Sequence, residues 1–156
     1  MTDEDFMRLA IEKTREGIKT GQTPFGSVIV KDGQVVAATH NTVWKTCDPT
    51  AHAEVNCIRA AALALKTIFL NGCTLYSTTE PCPMCLSAIH WAKIDRVVFG
   101  ATIADAAGAG FCELFVDACL LAEMGKSHLK VESGLLRQEC AALFDEWKKA
   151  GLSGAY

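Results

Sequence analysis

The chain has 156 residues, a length that favours a single domain with a sizeable hydrophobic core. Half of the residues are hydrophobic and about a fifth are charged, a balance typical of an ordinary globular protein. The net charge of −3 argues against a nucleic-acid partner, because phosphate binding usually requires a basic surface.

Eight cysteines are many for a chain of this length. The acidic N-terminus, residues 1–5, shows no signal peptide, and no apolar stretch is long enough to cross a membrane. We therefore expect a reducing, cytoplasmic setting and no membrane partner. Cys82 and Cys85 are candidate metal ligands. The other six are expected to be mostly small buried hydrophobic residues: Cys47, Cys57, Cys73, Cys112, Cys119 and Cys140.

The first third of the chain has the pattern of a helix followed by a hairpin. Apolar residues spaced among charges predict an amphipathic helix over residues 3–20. Asp32-Gly33 lies between the β-prone runs 25–31 and 34–38, and an Asp-Gly pair in this position is a strong hairpin signal. A polar loop is expected to follow the second strand.

The rest of the chain alternates between helices and strands, with a predicted loop of Ala and Gly at 104–110. The order of elements predicts an α/β fold in which a mixed five-stranded sheet is sandwiched between helices. No linker or repeat divides residues 1–156 into two domains. Helices are predicted at 52–65, from 82 onward, at 113–124 and at 135–149, and strands at 73–79, 96–100 and 129–132.

His52, Glu54, Cys82 and Cys85 form the most informative constellation in the sequence. One His and two Cys are typical zinc ligands, and three protein ligands leave the fourth coordination position free for chemistry. Glu54 lies two residues from His52, where a carboxylate can transfer protons during a hydrolysis. Both cysteines fall at the start of a predicted helix, three residues apart, so both thiolates can face the same way.

The two halves of this pattern are informative because they occur together. A Cys-x-x-Cys alone also occurs in redox sites and zinc knuckles. Here His-Ala-Glu precedes Pro-Cys-Pro-Met-Cys, with 30 residues from His52 to Cys82, and this combination is the signature of zinc-dependent deaminases. The alternative is a structural zinc site or a pair of buried thiols. A structural site normally has four protein ligands, and no natural fourth ligand lies beside these three.

Five stretches carry a family resemblance: Pro-Phe-Gly at 24–26, Asp-Pro-Thr-Ala-His-Ala-Glu at 48–54, Glu-Pro-Cys-Pro-Met-Cys at 80–85, Ala-Ile-His-Trp-Ala at 88–92 and Asp-Ala-Ala-Gly-Ala-Gly-Phe at 105–111. On these stretches the sequence resembles the cytidine-deaminase-like superfamily over essentially its whole length. The closer likeness is to small bacterial and plant guanine or guanosine deaminases, because tRNA wobble-adenosine deaminases usually differ in the last stretch. The resemblance implies a three-layer α/β/α fold and one zinc-dependent deaminase domain.

Carried onto this sequence, the resemblance implies that His52, Cys82 and Cys85 hold Zn²⁺. It implies that Glu54 is the catalytic proton shuttle. It further implies that Asn41, which ends the second predicted strand, hydrogen-bonds the purine.

Other substrate contacts are implied around this centre. Phe25 is expected to pack against the base, and Glu113 to act as a second catalytic acid. Family members have Gly-Phe-Asp followed by Asp or Glu here, whereas this sequence has Cys112 in place of the first Asp, which leaves substrate preference open. Ala53 and Trp91 are further candidate substrate contacts, although Trp91 also has the character of a core aromatic residue.

Tyr156 is the last residue of the sequence. Several guanine-type members end in an aromatic tail that closes over an active site, in some cases that of the partner subunit, so Tyr156 is a candidate substrate contact. The helix before it resembles equally the last helix of tRNA-type members. Family members form homodimers or higher oligomers, and we expect at least a homodimer.

The expected reaction is hydrolytic deamination of a free purine base, most readily guanine to xanthine plus ammonia. A tRNA wobble-adenosine deaminase is the main alternative, but it needs basic residues around the pocket mouth, and the final predicted helix is followed by no basic tail. Cytosine or another aminated heterocycle is a further alternative. A zinc-stabilised binding domain without catalysis predicts that Glu54→Gln leaves function intact.

Overall fold

A computed structural model describes all 156 residues and contains a five-stranded sheet with helices on both faces. The strands are β1 (Gly26–Lys31), β2 (Gln34–His40), β3 (Cys73–Thr79), β4 (Arg96–Ala101) and β5 (Lys130–Ser133). The helices are α1 (Asp3–Lys19), α2 (Val43–Thr46), α3 (Ala53–Leu65), α4 (Pro83–Trp91), α5 (Ile103–Gly108), α6 (Ala118–Met124) and α7 (Arg137–Lys149).

The sheet is mixed, and its strand order is β2-β1-β3-β4-β5. β1 pairs antiparallel with β2 and with β3, whereas β3, β4 and β5 run parallel. The β1–β2 hairpin turns through Asp32 and Gly33, both with positive φ, as a tight hairpin of the Asp-Gly type requires. The predicted mixed five-stranded sheet is therefore confirmed.

Two apolar clusters cover the two faces of the sheet. One contains the inner faces of α1 and α7, with Met7 and Leu143 fully buried, and the other contains α3, α4 and α6, with Ile89 fully buried. The outward-facing sides of these helices carry most of the charged residues, as amphipathic helices on a sheet require. This arrangement confirms the three-layer α/β/α fold.

β3 and β4 run parallel, so their carboxyl ends lie next to each other at one end of the sheet, called its carboxyl edge. β3 leads through Glu80 into α4, and β4 leads through Thr102 into α5. The loop after β2 brings the start of α3 to the same edge. Ligands of α/β proteins commonly bind at this edge of a parallel sheet, because several loops converge there.

Three elements differ from the predictions. The predicted loop at 104–110 contains α5, whose Thr102 and Asp105 side chains form a capping box with each other's backbone. The helix predicted at 113–124 begins only at Ala118, after Asp117, which caps it, so residues 112–117 are irregular. A four-residue helix, α2, lies in the predicted polar loop.

The cysteine prediction is only half right. Cys57, Cys73 and Cys140 are buried, but the other three outside the zinc motif are exposed: Cys47, Cys112 and Cys119. All eight are free thiols. No helix in the structure combines the length and the apolar character that crossing a lipid bilayer requires.

Candidate active site

The side chains of His52, Cys82 and Cys85 converge where two helices begin. His52 directly precedes α3, Cys82 directly precedes α4, and Cys85 lies in the first turn of α4. The Nδ1 atom of His52 lies 3.8 Å from the Cys82 sulfur and 3.6 Å from the Cys85 sulfur. Tetrahedral zinc bonds of ordinary length place such nitrogen and sulfur ligands roughly 3.5 Å apart. The donor set and its spacing therefore fit one zinc ion.

The two helix starts also provide a favourable electrostatic environment. Helix N-termini carry partial positive charge, which stabilises nearby thiolates. A hydrogen bond with Cys85 is the largest influence on Cys82. Burial opposes it, a hydrogen bond with His52 reinforces it, and the pKa of Cys82 falls to about 4. The lowered pKa of Cys82 favours its thiolate, which is the form that binds zinc, whereas the same hydrogen bond and burial raise the pKa of Cys85.

The carboxylate of Glu54 lies buried beside the ligands, in the first turn of α3. Ser77 donates a hydrogen bond to its Oε1 at 3.2 Å, and the Cys85 thiol donates to its Oε2 at 3.5 Å. Burial raises the pKa of Glu54, although the nearby His52 acts in the opposite direction. A carboxylate held in this way can accept a proton and return it, as hydrolysis requires.

A cavity of about 20 Å³ lies against these groups, which is room for about one water molecule. Phe25 and Phe111 form one wall, with their rings edge to face at a centroid distance of 4.9 Å. The Tyr156 ring forms another, edge to face with Phe111 at 5.9 Å. Aromatic walls around a small space suit a flat heterocycle better than a bulky or flexible ligand.

Glu113 lies in the irregular segment between α5 and α6, and its carboxylate reaches the cavity. Burial raises the pKa of Glu113, and the negative charge of Cys82 adds to this effect. The neighbouring Cys112 is exposed, and its backbone N–H donates to the Tyr156 carbonyl oxygen at 3.0 Å. The predicted second acid is therefore at the site, although it does not start a helix.

The side chain of Asn41 is fully buried directly after the last residue of β2. Its Oδ1 accepts a hydrogen bond from the Val43 N–H at 3.0 Å, which fixes the orientation of the amide. Its Nδ2 donates to the Tyr156 hydroxyl at 2.7 Å. The structure therefore brings the amide of Asn41 into contact with the last residue of the chain.

A family model described as the cytidine and deoxycytidylate deaminase zinc-binding region matches residues 1–101. The matched residues include the three candidate zinc ligands and Glu54. The chain belongs to this deaminase family. It is a hydrolytic deaminase, and His52, Cys82 and Cys85 form its possible metal site.

Relatives of the deaminase include enzymes of two substrate classes. The chain is 47% identical over 117 residues to the guanine deaminase of Bacillus subtilis (strain 168). The match covers 74% of this chain and 75% of that one. It is 37% identical over 151 residues to the tRNA-specific adenosine deaminase of the same organism. This match covers 94% of this chain and 91% of that one. A solved structure of the guanine deaminase from Nitrosomonas europaea superposes with a TM-score of 0.88 at 27% identity and covers 95% of this chain and 85% of that one.

Glu80 is a buried residue of the deaminase site that the sequence motif contains but sequence reasoning did not single out. One of its oxygens accepts from the Ile103 N–H at 3.0 Å and the other from the Ala118 N–H at 2.9 Å. These N–H groups belong to the first residues of α5 and α6, so Glu80 fixes both ends of the segment that carries Phe111 and Glu113. The sequence offered one signal for this role, an acidic residue directly before Pro81 in the zinc motif.

Three of the predicted substrate contacts do not line the cavity: Asn41, which lies behind Tyr156 as its hydrogen-bond partner, Ala53 and Trp91. Ala53 is fully buried between His52 and Glu54, and its carbonyl oxygen accepts from the Thr39 hydroxyl at 2.8 Å. Trp91 is the last residue of α4 and is 75% exposed, bordering a separate groove between α4 and α6. Trp91 is therefore neither a core residue nor a wall of this cavity, because the end of α4 turns its side chain outward.

Proposed function

We propose that this deaminase hydrolyses the exocyclic amino group of a free purine base, with guanine as the substrate. Water adds at C2 of guanine, the C2–N bond breaks, and the products are xanthine and ammonia. The relatives that act on guanine support this proposal. The observation that carries it is the aromatic lining beside the zinc ligands, formed by Phe25, Phe111 and Tyr156, with the last residue of the chain closing the mouth of the site.

In this proposal His52, Cys82 and Cys85 hold zinc, which when bound supplies Lewis-acid chemistry that makes water nucleophilic at neutral pH. Glu54 takes the proton of the attacking water and passes protons to the ring nitrogen and the departing ammonia. Its burial, and its hydrogen bond from Ser77, keep the carboxylate aimed at the reacting atoms.

The remaining roles concern the base itself. Phe25 packs against the ring. The Asn41 amide, which bonds the Tyr156 hydroxyl with one N–H, donates its second N–H to the base. Glu113 supports proton transfer from the opposite side of the cavity, and Tyr156 covers the bound base. Ala53 and Trp91 have no contact with the base in this proposal, because neither residue lines the cavity.

A tRNA wobble adenosine is the second candidate substrate, and a specific observation favours it: the relative that covers the larger share of the chain is a tRNA-specific adenosine deaminase. An anticodon loop requires an open pocket mouth with basic side chains. Tyr156 closes the mouth here, and Cys112, Glu113 and Leu114 border the outer cleft without a positive charge. These features support the free base over the tRNA. Cytosine is a further free-base candidate.

We further propose that the deaminase is a homodimer, and that residues 1–156 act as one catalytic domain. Large apolar side chains are exposed on the outer side of the α3–α4–α6 layer, among them Leu63, Trp91 and Met124. Exposed apolar patches of this kind commonly mark protein–protein interfaces. In sedimentation equilibrium, Trp91→Glu is expected to shift the wild-type dimer toward the monomer, with the far-UV spectrum unchanged.

A reducing, cytoplasmic setting is the location that we propose. The proposed zinc ligands Cys82 and Cys85 must stay reduced to bind the metal, and three further cysteines are exposed to solvent.

Ammonia release from a panel of substrates tests the proposed function. Zinc-loaded protein is incubated with guanine, guanosine, adenine and cytosine, and Glu54→Gln with the same zinc content is the control. Release from guanine alone supports the proposal. Release from guanosine but not guanine, or from none of the four with an intact zinc site, would contradict it.

A further inference from the structure

The C-terminal tail, residues 151–156, lies across the mouth of the site. Its last residue is anchored inside by the hydrogen bonds of Tyr156 with Asn41 at 2.7 Å and with Thr23 at 3.4 Å. Its backbone is anchored to the segment after α5 by the Cys112 N–H. Leu152 and Ala155 pack against the edge of the core.

The tail also separates two spaces. His52, Cys82, Glu113 and Tyr156 line both the inner cavity of about 20 Å³ and an outer cleft of about 200 Å³. The inner cavity is too small to admit a purine ring, which is far larger than one water molecule. Of the four shared residues, Tyr156 alone lies at a chain end, so its movement joins the two spaces at the lowest cost in other contacts.

Trp44, in α2, makes a contact with this tail that the zinc site does not require. Its indole Nε1 donates to the Gly154 carbonyl oxygen at 3.0 Å. Its ring lies edge to face with the Tyr156 ring at a centroid distance of 6.3 Å. Trp44 is 53% exposed, so the core does not explain its position, whereas a surface anchor for the tail does.

The tail sequence is fitted to this indole. Gly154 has a φ of +108°, which favours glycine, and a Cβ at this position would lie 3.0 Å from the Trp44 ring. Gly151 also has a positive φ, of +71°, but a Cβ there would meet no atom within 4 Å. The close approach of backbone to indole therefore depends on glycine at 154 and not at 151.

We propose that Trp44 is a positioning residue that holds the C-terminal tail closed and thereby places Tyr156 over the substrate site. The tail opens to admit the base and closes again over it. This role rests on the proposed function for its kinetic consequence, but its structural consequence is independent of the substrate. Trp44 contacts no residue of the zinc cluster, so its effect passes through Gly154 and Tyr156.

Release of Tyr156 by carboxypeptidase Y measures how often the tail opens in the zinc-loaded, substrate-free protein. Trp44→Ala is expected to speed this release about tenfold, the size expected from one hydrogen bond and one aromatic contact. Trp44→Phe keeps a ring but loses the N–H donor, and should give an intermediate rate. Gly154→Ala, which drives a Cβ into the indole, should act like Trp44→Ala.

Two matched control variants separate the contact between Trp44 and Gly154 from the general effects of a substitution in α2 or in the tail. Lys45→Ala changes the exposed neighbour of Trp44 on the same helix. Gly151→Ala places an alanine at another positive-φ position of the same tail, without a clash. Both should release Tyr156 at the wild-type rate. Equal rates in all chains, or equal acceleration by the controls, would overturn the proposal.

Steady-state kinetics with guanine test the positioning role. Trp44→Ala should raise KM about threefold and change kcat by less than twofold, because Trp44 acts on the cover of the site and not on the reacting atoms. Faster release of Tyr156 with an unchanged KM would overturn the positioning role. If no chain turns over guanine while the release rates differ as expected, the tail contact is supported and the proposed function fails instead.

Discussion

The amide nitrogen of Asn41 donates a hydrogen bond to the hydroxyl of Tyr156 at 2.7 Å, across a separation of 115 residues. Asn41 is fully buried, and the Val43 N–H holds its other amide atom. The chain end therefore completes the wall of the cavity and fixes the side chain that we propose to hydrogen-bond the base. Tyr156, which closes the site, and Asn41, which we propose to bind the base, therefore form one hydrogen-bonded unit.

Removing only the hydroxyl of Tyr156 tests this unit. Tyr156→Phe keeps the ring beside Phe111 but leaves the Asn41 amide without its partner. We expect KM for guanine to rise about threefold to tenfold, the effect of about one hydrogen bond, with a smaller change in kcat. Tyr76→Phe is the control, because the Tyr76 hydroxyl bonds Asp3 far from the cavity. A KM equal to that of the wild type would show that the contact does not matter for binding.

Glu54→Gln should abolish turnover while leaving the zinc content unchanged. The amide keeps the size of the carboxylate and can still accept from Ser77, but it cannot carry the proton. We expect kcat to fall by about 10² to 10⁴. Zinc is quantified by atomic spectroscopy on the same samples, since loss of metal would explain loss of activity in another way. Retained turnover would show that Glu54 is not the proton shuttle, whereas no turnover by the zinc-loaded wild type would favour the zinc-stabilised binding domain.

Glu80→Gln should destabilise the fold because one of two backbone donors loses its acceptor. The Ile103 and Ala118 N–H groups are both satisfied by the Glu80 carboxylate in a buried setting. We expect the free energy of unfolding in urea to fall by about 1–3 kcal/mol. KM should rise as well, because the segment between these two residues carries Phe111 and Glu113. The exposed Glu123→Gln is the control, and equal stability of the two variants would contradict the role of Glu80.

Acid stability should depend on Glu132, which lies far from the zinc ligands. Hydrogen bonds from Arg96, and then from Lys130, lower the pKa of Glu132 from 4.5 to about 2. Because the folded-state pKa is lowered, the stabilisation is complete above the unfolded value and is lost as pH falls from about 4.5 through 2. Glu132→Gln should therefore reduce the free energy of unfolding by about 1 kcal/mol at pH 7 and match the wild type near pH 2. An equal difference at both pH values would contradict this assignment.

Local sequence patterns predicted those parts of the fold and site that depend on near neighbours. The strand Cys73–Thr79 lies where it was predicted, and the zinc motif predicted a ligand set that the fold brings together. The Asp-Gly hairpin follows from turn chemistry alone. In these places one short stretch determines both the local structure and the position of the functional group.

The remaining features depend on distant contacts or on weak local signals. α5 was interpreted as a loop because of its Ala and Gly content, although Thr102 and Asp105 provide a capping box at its start. The contacts of the tail with Trp44 and Asn41 join residues more than a hundred positions apart. No local sequence pattern predicts contacts of this kind. The aromatic character of Trp91 does not reveal which way the end of α4 faces.

The relative efficiency on a free base and on RNA tests the central claim most directly. The measurement is kcat/KM of zinc-loaded protein for guanine and for an RNA anticodon stem-loop with adenosine at the wobble position, at one salt concentration. We predict that guanine is deaminated roughly 10³-fold more efficiently, since Tyr156 closes the mouth of the site and no lysine or arginine borders the outer cleft to hold the RNA backbone. Conversion of adenosine to inosine in the stem-loop at the higher efficiency would contradict the account.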